Sequence, residues 1–155
     1  RSIGGDVRRL HAPQSPRERA VLGVSAHAWE TASRPLALAH RGALSVVADA
    51  SLFYRSELRR AIGDADDAVS DADLILRAFA RWGSDCFARL EGEFACVVYN
   101  HESGDTHAAR DFAGTRPLYY AQHGATFSVA SRAEGLLAEG RGLNVLRREV
   151  ALDVR

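Results

Sequence analysis

A chain of 155 residues has the length of one domain and can bury a real core. Its 46% hydrophobic and 26% charged residues are ordinary for a soluble globular protein, and a formal net charge of zero gives neither nucleic acid nor an anionic membrane a reason to bind. No apolar run approaches the roughly 18 residues of a membrane-spanning helix and the opening residues have no signal-peptide pattern, so the cytoplasm is the expected compartment.

Along the chain, Ser15-Pro16-Arg17-Glu18 has the form of a capping box, with Ser15 as N-cap and Glu18 reaching back. A helix from Pro16 to Trp29 is predicted to follow it, carrying Val21, Leu22, Val24 and Ala28. Pro35 to His40 and Ala43 to Ala50 read as two strands around Arg41-Gly42, a two-residue hairpin link. Leu44-Ser45-Val46-Val47 has the β-branched content of a buried central strand. Tyr54 to Ile62 reads as a short helix stopped by Gly63, and Asp64 to Ser70 as an acidic loop. In Asp71 to Trp82, the residues Leu74, Ile75, Ala78, Phe79 and Trp82 fall on one helical face, and Gly83 ends the helix. A second short helix is expected over Asp85 to Leu90.

From Phe94 onward the period changes. Phe94 to Tyr99, Thr106 to Arg110, Leu118 to Gln122 and Thr126 to Ala130 read as four short strands joined by polar turns. Ala133 to Ala138 reads as a closing helix, and Leu143 to Arg155 as the start of another. The chain holds no methionine and its tail stops early, which predicts one domain of a longer protein, with residues 1–140 as the domain and 141–155 leading onward. Strands mixed with helices, then a run of antiparallel strands, give an α+β class.

The chemistry-bearing residues narrow the choices. Cys86 and Cys96 sit in no CxxC or metal-spaced pattern and read as small buried hydrophobes. The six histidines show no HxxxH or HxH spacing, so no metal site is expected. Neither a P-loop nor GxGxxG appears, so no nucleotide is expected to bind by those routes.

The most ordered string is Ala109-Arg110-Asp111-Phe112-Ala113-Gly114-Thr115-Arg116-Pro117-Leu118-Tyr119-Tyr120. Together with Trp82-Gly83 and Leu90-Glu91-Gly92-Glu93-Phe94-Ala95, it resembles the class II glutamine amidotransferase domain of asparagine synthetase-like proteins. The resemblance covers nearly the whole chain, is most specific from Asp71 to Leu137 and is weak before Ser51. It implies an N-terminal-nucleophile-hydrolase-like αββα sandwich, two antiparallel sheets between helical layers.

The same resemblance implies a degenerate glutaminase with no catalytic residue in place. The family opens Cys-Gly-Ile-x-Gly, and aligning Ile3 and Gly5 with it puts Arg1 at the cysteine, where a permanently protonated guanidinium offers no nucleophile. The family's Asn-Gly-Glu-Ile-Tyr-Asn corresponds to Asp49-Ala50-Ser51-Leu52-Phe53-Tyr54, so Asp49 and Ala50 take the oxyanion-hole positions. A carboxylate there opposes the negative charge that must develop, and losing one donor alone costs about 100- to 1000-fold in rate. Ser70-Asp71-Ala72-Asp73 resembles the Ser-Asp-x-Glu that holds the glutamine amino group, which makes Asp71 the remnant of a substrate pocket. The same residues also fit a routine helix cap or dipole partner. Arg41 is the nearby candidate for the arginine that grips the glutamine carboxylate, and it equally suits a hairpin.

Arg110, Asp111, Gly114, Arg116 and Pro117 fit two roles: loop architecture, with Arg110 and Asp111 as a bracing ion pair, or contact with a neighbouring domain. The resemblance implies a following synthetase domain that binds ATP and magnesium, with no cofactor in this segment. The degenerate branch includes β-lactam synthetases and lasso-peptide cyclases, so a small carboxylate or a precursor peptide is the substrate it implies. Two other readings stand beside it: a non-catalytic peptide- or protein-binding module, and an asparagine synthase fed by free ammonia or another nitrogen source.

Overall fold

Alternation along one long strand sets the layers. In Leu44–Leu52, Val46, Ala48 and Leu52 are buried on one face against a helix, while Ser45 and Val47 turn to the other. The computed structural model describes residues 6–11, 20–26, 38–63, 69–123, 126–137, 144–145 and 149–152.

In chain order the elements are β1 (Asp6–His11), β2 (Leu22–Ala26), β3 (Leu38–Arg41), β4 (Leu44–Leu52), α1 (Arg55–Ile62) and α2 (Asp71–Trp82). A 3-10 helix, Gly83–Arg89, leads to β5 (Gly92–Asn100), β6 (Thr106–Arg110), β7 (Tyr119–His123) and β8 (Thr126–Ala130). The last elements are α3 (Glu134–Leu137), β9 (Asn144–Val145) and β10 (Glu149–Leu152). A five-stranded antiparallel sheet has the order β10-β6-β5-β4-β3, a three-stranded one the order β8-β7-β9, and β1 pairs with β2.

The main core lies between the five-stranded sheet and α2. Leu74, Ile75 and Leu76 are fully buried there with Val46, Cys96 and Val98, and Cys86 is buried in the same cluster. Burying each of those large aliphatic side chains contributes about 1.5–3 kcal/mol. Leu76 lies outside the stripe read from the sequence; α2 is enclosed widely enough that Ala72, Leu74, Ile75, Leu76, Ala78 and Phe79 are all buried. The opposite face of the sheet supplies Ala95, Val97 and Ala108, which pack with Leu118, Tyr120 and Val129 of the second-sheet region. The order is helix, sheet, sheet, with α3 against β7 and β8, an α+β sandwich as the resemblance implied.

Local signals set the ends of α2. Ser70 is its N-cap, its hydroxyl accepting the Asp73 amide at 3.1 Å, and Gly83 closes it. Gly92 is irreplaceable for a different reason: at φ 136 a Cβ would lie 2.4 Å from the Ser51 carbonyl oxygen across the β4–β5 ladder.

Three readings of the sequence are corrected. The helix drawn from Pro16 to Trp29 gives way, over Leu22–Ala26, to strand β2; Leu22, Val24 and Ala26 alternate with Gly23 and Ser25, and β1 provides the ladder. The capping-box residues 15–18 lie outside the described residues. The helix begun at Leu143 is instead β9 and β10, where Val145 pairs with Tyr119 and Glu149 with Ala109, so sheet edges outweigh local propensity. The β3–β4 link is Gly42-Ala43, one residue later than read, because Gly42 supplies the positive φ of 57 that the turn needs.

Candidate functional site

The site lies at the end of the sheet where β4 finishes, β5 begins and β6 finishes. Register brings its side chains together. Asp49 stands opposite Ala95 and Ser51 opposite Glu93, so Asp49 and Glu93 are diagonal neighbours on the face away from α2. Arg116, from the loop after β6, reaches both: one guanidinium nitrogen lies 3.1 Å from Glu93 Oε2 and the other 3.7 Å from Asp49 Oδ1. Both carboxylates are partly solvated and Arg116 is mostly covered, so the arginine balances two negative charges at a sheet edge. Ala50, opposite Phe94, packs on the α2 side and keeps its methyl out of this cluster.

A second pair closes the neighbouring side. Asp71 begins α2, and its carboxylate accepts hydrogen bonds from the Leu52 amide at 3.2 Å and from Arg55. Arg55 also donates to the Val69 carbonyl. Arg55 and Asp71 each open a helix, α1 and α2, and their pairing fixes the end of β4 against both. Between β4 and α1, Tyr54 holds φ 48 and ψ 39, a left-handed conformation that a large side chain adopts at a cost of about 1–2 kcal/mol.

The third carboxylate is of another kind. Asp111 is buried, and its side chain accepts hydrogen bonds from the Phe94 amide (3.2 Å), the Thr115 amide (3.1 Å), the Thr115 hydroxyl (2.6 Å) and the Arg116 amide (3.4 Å). Its own amide donates to the Phe94 carbonyl, and its carbonyl accepts from the Gly114 amide. Burial raises the Asp111 pKa, but the Thr115 hydroxyl and the Thr115, Phe94 and Arg116 amides outweigh it and lower the value to about 2. Gly114 supplies a positive φ of 68, and a Cβ there would press on the Arg110 guanidinium at 3.0 Å, which would have to shift.

The structure thus gathers Asp49, Asp71, Asp111, Gly114 and Arg116 of the sequence-predicted residues at one end of the sheet. Arg41 is elsewhere. It pairs with Leu44 at the start of β4, roughly 27 Å of strand from Leu52. The Arg110–Asp111 ion pair is also corrected: Asp111 is held by amides and Thr115, because consecutive side chains at a strand end diverge. Pro117 is exposed at the loop exit, and Arg1, Ile3 and Gly5 lie outside the described residues. Arg55 was not singled out in the sequence, and Glu93 and Thr115, though part of the strings that carry the resemblance, were given no role in the site. The available signals were an arginine and an aspartate each opening a helix, and an Asp-x-x-x-Thr loop. Among the described residues, no three histidine, cysteine or acidic side chains stand close enough to hold a metal ion. No helix among them is long and apolar enough to cross a membrane.

The sandwich carries this site within the stretch, residues 22–138, that a family profile described as a glutamine amidotransferase domain matches. The chain belongs to that family. Among curated proteins it is 29% identical over 113 residues to asparagine synthetase [glutamine-hydrolyzing] 3 of Bacillus subtilis, covering 70% of this chain and 18% of the relative. It is 26% identical over 98 residues to putative asparagine synthetase [glutamine-hydrolyzing] 2 of Methanocaldococcus jannaschii, covering 63% and 19%. The chain therefore spans about a fifth of these relatives. Glutamine phosphoribosylpyrophosphate amidotransferase of B. subtilis has the same fold, with a TM-score of 0.60 at 16% identity over 86% of this chain and 34% of that one.

Proposed function

We propose that this chain is the glutaminase-inactive amidotransferase domain of an asparagine synthetase-like, ATP-dependent ligase of the lasso-peptide cyclase or β-lactam synthetase type. In such a ligase the synthetase domain adenylates a carboxylate with ATP and magnesium, and an amine already on the substrate attacks it. This domain would brace that machinery and supply no ammonia.

One observation carries the reading: each carboxylate of the site is already balanced from within. Asp49 stands where the family places an oxyanion-hole asparagine, and Arg116 offsets its charge together with that of Glu93. Asp71, the counterpart of the group that holds the glutamine amine, is bonded to Arg55 and the Leu52 amide. A glutamine amine at Asp71 would have to share that carboxylate with Arg55, and an oxyanion on the substrate's side-chain amide would form beside Asp49, whose charge Arg116 offsets from 3.7 Å. The loss of a donor by itself removes about 100- to 1000-fold in rate.

The test supplies the full-length protein with ATP, magnesium and carboxylate substrates that carry an internal amine. Pyrophosphate release and amide formation with no dependence on added glutamine are expected. Amide formation that consumes glutamine stoichiometrically contradicts the reading.

The names of the relatives favour one second reading, an asparagine synthase; with this domain inactive, its nitrogen would come from free ammonia or another source. Aspartate, ATP and ammonium giving no asparagine would remove it.

A further inference from the structure

At the end of the sheet opposite Asp49 and Arg116, two histidines close on one serine. His40 of β3 stands directly across from Ser45 of β4, and Ser45 in turn stands across from Tyr99 of β5. His101 follows the last residue of β5, and its amide donates to the Ala43 carbonyl at 2.8 Å, which ties its backbone to the β3–β4 hairpin. Its ring packs edge-on against Tyr99, with centroids 4.9 Å apart. Both imidazoles then point at the same atom: His40 Nδ1 lies 2.8 Å and His101 Nε2 2.7 Å from Ser45 Oγ. Ser45 has no exposed surface, yet one partner is enough to satisfy a buried hydroxyl. His40 is exposed, so its ring adds little to the core, and the second imidazole is surplus to the burial of the serine.

The three atoms are spaced as ligands are. Adjacent donors on a first-row ion with bonds of about 2.0–2.1 Å lie about 3–3.4 Å apart, so the nitrogen–oxygen distances here have to open by about half an ångström. The ring centroids are 5.6 Å apart, within the range of about 5–6 Å at which two imidazoles share one such ion. The donor chemistry selects the ion. Two imidazoles and a hydroxyl suit Zn2+, Ni2+ or Cu2+ and are poor ligands for Mg2+ or Ca2+. Among the described residues no carboxylate completes a three-ligand group with the two rings. The exposure of His40 leaves the remaining coordination positions to water or an incoming ligand.

We propose that His40, Ser45 and His101 form a site for a divalent transition ion, Zn2+ or its nitrogen-seeking neighbours Cu2+ and Ni2+. His40 Nδ1 and His101 Nε2 bind as neutral donors, and the Ser45 hydroxyl is the third and weaker ligand. Spacing along the chain hides the site, because His40 and His101 meet only through the β3–β4–β5 register. It lies near the start of β4, while Asp49 and Ser51 lie near its end, so it is separate from the carboxylate and arginine cluster described above.

The test uses the full-length protein, free of any histidine tag and stripped with EDTA, with Zn2+ alone as the probe in equilibrium dialysis. The variants are His40→Gln, which keeps a polar partner for Ser45, and His101→Ala, with His123→Ala on the three-stranded sheet as the control. One ion per chain is expected to weaken by about tenfold or more in each of the first two variants and to be retained in His123→Ala. Thermal unfolding reads the same site independently. Zn2+ should raise the melting temperature of the wild type and of His123→Ala, and should do so less for His40→Gln. Zinc binding and melting temperature that His40→Gln leaves unchanged, or no zinc bound by the wild type, overturn the proposal; the two rings then serve Ser45 alone.

Discussion

Asp111 and Asp71 are both aspartates beside the first residues of β5 or the last of β4, yet they are held in opposite ways. Asp111 is buried and bonded to three backbone amides and a hydroxyl, so every partner is fixed by the fold. Asp71 is partly exposed; it accepts one backbone amide, from Leu52, and its charge is met by Arg55, a side chain that can move. Asp49 is likewise answered by a guanidinium, that of Arg116, and is more solvated than Asp71. A buried carboxylate held entirely by backbone amides and a neighbouring hydroxyl is architecture. One balanced by a guanidinium belongs to a surface whose role can change while the fold stands.

The largest expected effect follows from breaking the architectural side. Asp111→Ala leaves buried amides without an acceptor and should lower unfolding stability by about 3 kcal/mol, read from urea denaturation. Asp111→Asn should cost less, about 2 kcal/mol, because one side-chain oxygen remains. If either variant keeps wild-type stability, the loop does not depend on this carboxylate.

The pH dependence has the same origin. The folded pKa of Asp111 is depressed to about 2 from 3.8, so its stabilisation is full above about pH 4 and is lost as pH falls towards 2. About 2 kcal/mol should disappear across that window in the wild type and be missing from Asp111→Asn. Parallel acid-unfolding curves for the two proteins would refute this.

Gly114→Ala tests the loop's shape. A positive φ and a 3.0 Å approach to Arg110 should cost about 1–2 kcal/mol, measured by thermal or urea unfolding.

On the adaptable side the effects shrink. Arg55→Ala should cost about 1 kcal/mol, since its partner Asp71 keeps the Leu52 amide and regains water. Tyr54→Asn should move stability the other way, up by about 1 kcal/mol, by relieving the left-handed backbone. A destabilised Tyr54→Asn would mean that the ring supports the fold.

What the sequence made legible was local. α2 was read with its observed ends because the Ser70 cap, the apolar stripe and Gly83 all lie within one stretch of chain. β6 and β8 were read with their ends for the same reason. Strand β2 and the tail strands were missed because each exists through a partner elsewhere, β1, β6 or β7. The site divided similarly. Asp49, Asp71 and the Asp111 loop were found through motif resemblance. Their partners Arg116, Arg55 and the Phe94 amide were not assigned to them, since strand register and helix placement decide who meets whom. Arg41 failed for that reason too: 30 positions before Asp71 in sequence, it lies at the far end of the hairpin.

The most direct measurement is glutamate release from isotopically labelled glutamine by the full-length protein, followed by NMR with ATP and magnesium present. On the proposed reading no glutamate above a heat-inactivated control is expected, because Arg55 holds Asp71 and Asp49 would take the place of an oxyanion-hole asparagine. Steady glutamate release that scales with enzyme concentration would contradict it, and the pocket would then be a working glutaminase.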